Sequence, residues 1–289
     1  DNLGMGADLD GYCATASDNT DLPIDFFTPG GQEERWGVSF TLSGAEHYGS
    51  YSEKEGDSSS LGVTATHTVT NESAGEVLSA KVVSIISLDS AAILSVSVTH
   101  TFAKSNAYFL TSVVFENVSG SALSDVRYHR SFDPDNAKFQ GGDYTTRQTI
   151  LDTVTDGGTS VVQAKLQDSD LTALAATGIL KQLLDTSGIT TEIPILFYSD
   201  ELESVAYFGG FTNPNPYNPY GGGDPFGSPQ AKDSTVEDDG AMGIIVRTLS
   251  LASGASEDPL KYVTSLDSRD SSEISSELAE EADGGSEIA

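Results

Sequence analysis

Two long stretches in the middle of the chain alternate between apolar and hydroxyl-bearing residues. Every second residue of 63–70 is threonine, and serine and threonine alternate with mainly apolar residues over 94–102. A period of two over this length predicts antiparallel strands with one face toward the core and one toward solvent. His67 and His100 fall on the apolar faces. Core histidines hydrogen-bonded to the backbone are favoured there over metal ligands, because the Cys/His clustering that zinc needs is absent.

Strand patterns continue along most of the chain. Segments 108–118 and 124–132 flank the turn NVSGSAL, and the runs IPILFYSD, SVAYFGGF and MGIIVRTLSL precede a last predicted strand at 258–266. Many short strands separated by glycine-rich turns are typical of two packed sheets. We therefore expect an all-β fold, a large antiparallel β-sandwich of the jelly-roll or supersandwich kind, with long loops and one or two short helices.

Three segments depart from the strand pattern. Residues 168–188 combine a candidate N-cap serine, helix-forming residues and a terminal glycine, and they predict a helix. The first 35 residues are polar and rich in glycine and aspartate, whereas the last 19 are an acidic tail or a short amphipathic helix. We therefore expect an N-terminal extension at 1–35, a ligand-binding sandwich at 36–270 and an acidic tail at 271–289.

The charge of the chain restricts its partners. Its 289 residues include 44 acidic and 14 basic side chains, a formal net charge of −30. Nucleic-acid phosphates require a basic face, so nucleic acid is excluded as a partner, and binding to anionic lipid is opposed. No apolar run reaches the length of a membrane span, and we expect no membrane insertion. The single cysteine, Cys13, excludes an intrachain disulfide and favours a buried thiol over an intermolecular bond.

The densest chemistry lies in the segment RYHRSFDPDNAKFQGGD, which follows a predicted strand. Asp133, Asp135 and Asn136 offer oxygen ligands within four positions, and hard cations such as Ca²⁺ prefer oxygen ligands. A glycine pair then lets the chain return, so that Asp143 can approach the same point. The residue order is not that of an EF-hand, and a solvated acidic turn would have the same composition.

Two further segments complete the predicted binding face. The segment FTNPNPYNPYGGGDPFGSP is dominated by proline and glycine, which prevent pairing inside a sheet. Its aromatic residues Tyr217, Tyr220 and Phe226 favour a binding loop, because aromatic-bearing loops on a rigid sandwich commonly bind ligands, and a flexible spacer is the alternative. Asp238 and Asp239 belong to a second acidic cluster and are further candidate metal ligands.

Arg127 is the candidate for contact with an acidic ligand. Alternation from residue 126 predicts one face with Arg127, His129 and Asp133 and an apolar face with Tyr128, Arg130 and Phe132. A guanidinium outside the apolar face can pair with a ligand carboxylate in bidentate fashion. A structural ion pair with a neighbouring acid is the alternative interpretation.

Catalytic motifs are missing from the sequence. It contains no G-x-S-x-G elbow, no G-x-x-x-x-G-K and no G-x-G-x-x-G, and its four histidines give no triad signature. A glycosidase needs two carboxylates at a defined separation, and nothing local marks such a pair among the 44 acids. We expect a protein that is not an enzyme.

One part of the sequence resembles a known family. The runs THTF, YFL and VVFENVSGSALSDVRY lead into RSFDPDN and GGDYTT, and YFGGFTN and AMGIIVRTL follow in order. This pattern, over roughly 36–270, resembles the peptide-binding β-sandwich domain of large calcium-dependent bacterial RTX adhesins exported by type I secretion. The resemblance implies a secreted, calcium-stabilised domain that grips short peptides, often at a free C-terminal carboxylate, with Asp133, Asp135 and Asn136 as calcium ligands. The segment 168–188 and the proline-rich loop depart from it.

These observations lead to one functional hypothesis with two alternatives. We expect a secreted adhesion module on a bacterial cell surface that binds a peptide or glycan in a calcium-dependent way. The predicted ligand contacts are Arg127, Tyr217, Tyr220 and Phe226, and the predicted calcium ligands are Asp133, Asp135, Asn136, Asp143, Asp238 and Asp239. The alternatives are a structural subunit or spacer of an extracellular filament or surface layer and, less favoured, a carbohydrate-active enzyme. The oligomeric state is left open.

Overall fold

The protein is an all-β antiparallel sandwich, as the alternating pattern predicts. A computed structural model describes residues 34–52, 57–103, 108–134, 144–166, 195–210 and 214–265. Within these ranges the strands form a six-stranded and a nine-stranded sheet, and one short helix, α1, spans Val154–Gly157. None of the described helical structure is long and apolar enough to cross a bilayer.

The six-stranded sheet has the order β12-β14-β8-β1-β2-β3, so that β8 lies between β14 and β1. Its strands are β1 (Glu34–Leu42), β2 (Ala45–Tyr51), β3 (Ser58–Ser59), β8 (Leu123–Phe132), β12 (Ser204–Phe208) and β14 (Met242–Leu251).

The nine-stranded sheet has the order β13-β9-β10-β11-β15-β7-β6-β5-β4. Its strands are β4 (Val63–Asn71), β5 (Val77–Leu88), β6 (Ala91–Ala103), β7 (Tyr108–Asn117), β9 (Thr146–Asp152), β10 (Ser160–Leu166), β11 (Ile195–Ser199), β13 (Thr235–Asp238) and β15 (Leu260–Ser265). Every strand pair is antiparallel.

The core lies between the two sheets and is built from alternate residues of their strands. Phe132 of β8 meets Phe197 of β11 edge to face at 5.4 Å, and Tyr128 stacks on Tyr262 at 6.3 Å. Burying aromatic and β-branched side chains in this way is the main favourable contribution to folding. Further members of this cluster are Val38, Phe40, Val96, Val113, Phe115, Val126, Val162, Ile244 and Val246.

The predicted alternation of β4 is confirmed, but its apolar face is covered only at one end. The threonines at 64, 66, 68 and 70 are exposed, as expected. Val63 is 4% exposed, whereas Val69 is 49% and Leu78 of the neighbouring β5 is 45% exposed. The six-stranded sheet therefore covers the beginning of β4 and leaves the inner face near its end open.

Several sequence predictions concern residues outside the described ranges. β1 begins at Glu34, two residues before the predicted start of the sandwich, and β7, β8, β14 and β15 form where strands were predicted. The predicted helix at 168–188, the extension up to residue 33 with Cys13, and the acidic tail at 271–289 all lie outside the described residues.

Candidate ligand-binding loop and acidic end

The proline-rich loop packs on the outer face of the six-stranded sheet. Val205, Tyr207 and Ile245 form a small buried cluster on that face, and Tyr220 and Phe226 of the loop pack against it. The rings of Tyr207 and Tyr220 lie 5.8 Å apart at a tilt of 33°. The loop is therefore a second apolar layer on this sheet, and the prediction that it stays out of the sheet interior is confirmed.

The conformation of the loop is set by its asparagines and glycines. Asn215 accepts a hydrogen bond from the backbone N–H of Tyr217 at 3.0 Å, and Asn218 accepts one from Gly223 at 2.7 Å. The first contact is an Asx turn, a local bond that makes asparagine common in loops, and the second closes a longer stretch of the loop. At Gly210 the φ angle is +78°, and a Cβ atom would collide with the backbone of residue 219. Only glycine fits there.

Arg127 connects the loop to the sheet with all of its donors. Its Nε and Nη2 donate to the two carboxylate oxygens of Asp125 at 2.9 and 2.6 Å. Its Nη1 and Nη2 donate to the two oxygens of Asp224 at 2.8 and 3.1 Å, and Nη1 also donates to the carbonyl of Pro216 at 3.3 Å. A guanidinium has five N–H groups, so each has an acceptor within the protein.

The guanidinium of Arg127 also lies over two aromatic rings of the loop. Its Cζ atom is 4.4 Å from the ring centre of Tyr217 and 5.0 Å from that of Phe226. Arg127 is 1% exposed and Tyr217 is 7% exposed. The structure thus gathers three of the predicted ligand-binding residues in one cluster, with Tyr220 beside them. Contact between Arg127 and a ligand stays a prediction, and it requires one of the two carboxylates to give way.

A second arginine faces Arg127 across the strands. Arg247 of β14 pairs in register with Arg127 of β8, and two like charges in this position destabilise a sheet unless acids separate them. Asp125 lies between them, 3.4 Å from Nη1 of Arg247, and Glu203 accepts from Nε of Arg247 at 2.7 Å. The ring of Phe226 lies 3.7 Å from the Arg247 guanidinium. We call Glu203, Arg247, Asp125, Arg127 and Asp224 the arginine network.

Sequence reasoning did not identify the acids of this network. Asp125 carries a usable signal, because residues two apart on a strand share a face. It also has a φ angle of +49°, a conformation that favours residues with short polar side chains. Asp224 lies 97 residues from Arg127, and no local pattern marks it as a partner.

The network shifts the pKa of its most exposed acid. Burial alone would raise the pKa of Asp224, but the hydrogen bonds and the charge of Arg127 outweigh burial and hold the pKa below its ordinary value. For Arg127 burial lowers the pKa, and its contacts with Asp125 and Asp224 raise it overall. Both groups are therefore charged at neutral pH.

A cavity of about 170 Å³ lies beside the network. Phe226, Pro225 and Val205 give it apolar walls, and Asp152 and Glu203 lie on its lining with Arg247. Cavities that enclose a drug-sized ligand measure roughly 300 to 1,000 Å³, so this one suits a single side chain or a few waters.

His129 occupies the same outer face as Arg127 and is fully buried. Its Nε2 shares a hydrogen bond with the hydroxyl of Tyr207. Burial, assisted by the charge of Arg35, lowers the pKa of His129 to about 3, and burial raises the pKa of Tyr207. Both side chains are therefore neutral in the folded protein at neutral pH. The pair joins β8 to β12 through a hydrogen bond between two neutral side chains.

Asp133, which follows β8, and the acids at the end of β13 lie at the same end of the sandwich. Phe132, the last residue of β8, pairs with Met242, and Asp238, the last residue of β13, pairs with Thr146. The start of the connection from β8 to β9 at Asp133 therefore lies beside Met242, and the first residue of β9, Thr146, lies beside Asp238. We call this region the acidic end.

The predicted calcium site is only partly within the described residues. Asp133 is 6% exposed, while Asp238 and Asp239 are exposed. In the part of the chain that the structure describes, no group of three His, Cys, Asp or Glu side chains could hold a metal ion. The remaining predicted ligands, Asp135, Asn136 and Asp143, lie outside that part. Calcium binding therefore stays a prediction.

The predicted binding face divides into two separate regions. Arg127 and Phe132 are five residues apart on β8, which corresponds to roughly 17 Å along a strand. The loop cluster around Arg127 and the acidic end are thus distinct, although both are reached from the same strand.

His67 and His100 are hydrogen-bonded within the fold, although to hydroxyl groups rather than to backbone. Nδ1 of His67 lies 3.0 Å from Oγ of Ser84, and Nδ1 of His100 lies 2.9 Å from Oγ1 of Thr111. Burial lowers the pKa of both imidazoles, that of His100 to about 4. The preferred interpretation of the two histidines as hydrogen-bonded residues of the fold agrees with these contacts.

Comparison with known proteins gives distant structural neighbours. No protein-family model and no curated protein matches the chain. A GH36 α-galactosidase variant, AgaA from Geobacillus stearothermophilus in complex with raffinose, is 10% identical with a TM-score of 0.35, over 79% of this chain and 29% of that one. A putative aldose 1-epimerase from Klebsiella pneumoniae is 10% identical with a TM-score of 0.29, over 90% of this chain and 68% of that one.

A further structure of AgaA is 12% identical with a TM-score of 0.30, over 80% of this chain. The chain spans less than a third of the length of the α-galactosidase. TM-scores below 0.5 carry no argument about activity, so the functional proposal rests on the residues of this chain.

Proposed function

We propose that the chain is an extracellular, calcium-dependent adhesion module that binds a peptide or a glycan on a partner surface at its acidic end. The observation that supports this is the register of β8 with β14 and of β13 with β9, by which Asp133 and the pair Asp238 and Asp239 reach the same end of the sandwich from distant parts of the chain.

Calcium explains how so acidic a protein can hold an acidic ligand. A buried carboxylate such as that of Asp133 needs a cation or hydrogen-bond donors, and exposed acids beside it can complete part of a coordination shell. An incomplete shell leaves positions that a C-terminal carboxylate of a peptide or the vicinal hydroxyls of a sugar can fill. Without the cation, the net charge of −30 would repel such a carboxylate.

The arginine network offers a second contact for an extended ligand. Asp224 is 45% exposed on its side chain, whereas Asp125 is 28% exposed, so Asp224 is the carboxylate that a ligand displaces more readily. A ligand carboxylate in its place would keep Arg127 paired, between the rings of Tyr217 and Phe226. In this proposal the peptide runs along the outer face from the loop cluster toward the acidic end.

A structural subunit or spacer is the second candidate. One observation favours it: every N–H of Arg127 already has an acceptor in the protein, and Tyr217 is almost fully buried. A loop whose contacts are all satisfied within the protein would stiffen the sandwich without binding a ligand.

Thermal unfolding with calcium and with EDTA tests the metal site. We expect calcium to raise the midpoint of the wild type, because an ion that binds only the native state stabilises it by mass action. Asp133→Asn and Asp238→Asn should each reduce the calcium-dependent increase. Asp258→Asn is the matched control, because Asp258 is exposed and lies before β15, beyond the Leu251 end of β14 and away from Met242. An equal calcium-dependent increase of the midpoint in all three variants would contradict calcium binding at the acidic end.

Ligand binding separates the two candidates. Short peptides with a free C-terminal carboxylate, their C-terminal amides and a glycan array are compared in calcium. Binding of the carboxylate peptides or of a glycan, abolished by EDTA and by Asp133→Asn, is expected for the adhesion module. A calcium-stabilised protein that binds none of these would be the structural subunit.

A further inference from the structure

Edge strands differ in how far they are protected from pairing with another chain. Among the described residues, the sheets end in β12 and β3 and in β13 and β4. β3 has two residues, β13 has four and carries Glu237 and Asp238, and the first four residues of β12 are buried. Short length, charge and burial are the usual ways in which proteins block their edges.

β4 has none of these protections. Its nine residues, VTATHTVTN, contain no charge and no proline, and most of them are exposed. It pairs with β5 over its whole length without a register shift, so no bulge turns the edge away. In a chain with 44 acids and 14 bases, an uncharged, threonine-rich edge of this length is a template for strand addition.

The register identifies the backbone groups at the open edge. Glu72 donates its N–H to the carbonyl of Ser79 at 2.8 Å, which marks a hydrogen-bonded pair of the β4–β5 ladder. Such pairs alternate along an antiparallel ladder. The N–H and C=O groups of Ala65, His67 and Val69 therefore point away from β5. The side chains of the same three residues line the inner face, which is open around Val69.

Acidic residues surround this neutral edge. Asp89 lies against Gly62 just before β4, and Glu72 follows its last residue. Burial and, after it, the charge of Asp57 raise the pKa of Tyr51, whose ring lies 5.4 Å from that of His67. All three acids are exposed. The charges favour a partner that is apolar in its centre and basic at its ends.

We propose that the open edge of β4 docks an extended segment of a partner protein, with alternating apolar residues flanked by basic ones, as an added strand of the nine-stranded sheet. Main-chain hydrogen bonds to Ala65, His67 and Val69 supply affinity, and alternate apolar side chains cover the open inner face. A second copy of this chain is disfavoured as the occupant, because each copy carries a net charge of −30. The site lies at the sheet edge opposite β13 and needs no calcium.

A designed peptide tests this inference separately from the calcium site. The probe is KKVVSIISKK, which carries the β5 residues from Lys81 to Ser87 between added lysines, because β5 is the strand that β4 already pairs with. A C-terminal amide removes the free carboxylate of the probe, and an acetylated N-terminus removes its terminal amine. We expect binding by fluorescence anisotropy in EDTA, and protection of the Ala65, His67 and Val69 amides from hydrogen exchange.

Val69→Pro is the critical variant, and Val69→Ala is its matched control. Proline removes an N–H that points outward and leaves the bonds to β5 in place, whereas alanine shortens the side chain and keeps the N–H. We expect the peptide to bind Val69→Pro about tenfold more weakly than Val69→Ala, because a backbone carbonyl of the peptide loses the N–H donor of residue 69. Unchanged melting temperatures would show that both variants fold.

Three results would overturn the inference. These are no binding of the probe, equal binding by the two Val69 variants, and protection at strands other than β4. A peptide with glutamates in place of the lysines should bind more weakly. Equal binding would contradict the preference for a partner with basic ends. Sedimentation of the wild type alone as a dimer that Val69→Pro dissociates would make a second copy the occupant.

Discussion

The two faces of β8 are both buried, but by different means. On the inner face, Tyr128 and Phe132 pack among aromatic and aliphatic side chains of the opposite sheet. On the outer face, Arg127 is covered by the proline-rich loop through ion pairs and cation–π contacts, and His129 shares a hydrogen bond with Tyr207 of β12. The inner contacts are non-directional, whereas the outer ones depend on particular partners and on their charge.

Burial alone therefore does not identify a residue of the hydrophobic core. The inner contacts of Phe132 should tolerate changes of pH and salt, because Phe132 and its partner Phe197 are uncharged. The same face also holds one buried ion pair, between Arg130 and Glu34. The outer face should respond to both, because its stability depends on whether acids and a histidine keep their native charge.

The largest loss of stability is expected from a substitution on the inner face of β8. Phe132→Ala should lower the free energy of unfolding by about 3 to 5 kcal/mol, because it removes a fully buried ring and leaves a cavity beside Phe197. Chemical denaturation at pH 8 in low and in high salt measures this loss of unfolding free energy. The loss should be equal in the two salts, and Phe132→Leu should cost less. A strong salt dependence would contradict the contrast between the faces.

Arg127→Met should lower the free energy of unfolding by about 2 to 3 kcal/mol, because it leaves Asp125 and Asp224 without their main cation. The effect is below that of the core variant, since Asp224 can turn toward water. Arg127→Lys is the control that keeps the charge but not the fork, and it should recover only part of the loss. A fully stable Arg127→Met protein would show that the network contributes only specificity.

The pH dependence of stability should come partly from His129. The unfolded imidazole titrates near 6.5 and the native one near 3, so below pH 6.5 the unfolded state binds more protons. Stability conferred by the neutral imidazole is present above pH 6.5 and is lost as pH falls, by about 2 kcal/mol at pH 5. His129→Gln, which does not titrate, should flatten the profile of unfolding free energy between pH 7 and 5. Parallel profiles would rule out this contribution.

The smallest loss of stability is expected from a substitution at Asp224, the exposed end of the arginine network. Asp224→Asn should cost less than about 1 kcal/mol, because the carboxylate is nearly half exposed and screened by water. Its native pKa is depressed, so its contribution is present above the ordinary aspartate pKa and is lost as pH falls through the native value. The variant should therefore match the wild type in strong acid and differ at neutral pH. Asp233→Asn, an exposed acid outside the network, serves as the control.

Periodicity predicted the strands well and the site less completely. Alternation along β8 correctly separated Arg127 and His129 from Tyr128 and Phe132, because the two faces of a strand follow from position alone. The same reasoning overestimated the burial of Val69, since alternation reports which face a residue is on and not how far the opposite sheet extends. It named Arg127 and the loop aromatics but neither Asp125 nor Asp224 as their partners.

The sequence by itself determined the fold class, the two faces of each strand and the acidic net charge, because these depend on local alternation and on composition. Only the tertiary structure decided that Asp224, 97 residues away, completes the pairing of Arg127 and that Asp133 lies at the same end of the sandwich as Asp238. It also decided that β4 is an edge. Strand order and cross-chain contacts arise from packing the whole chain, which no local pattern encodes.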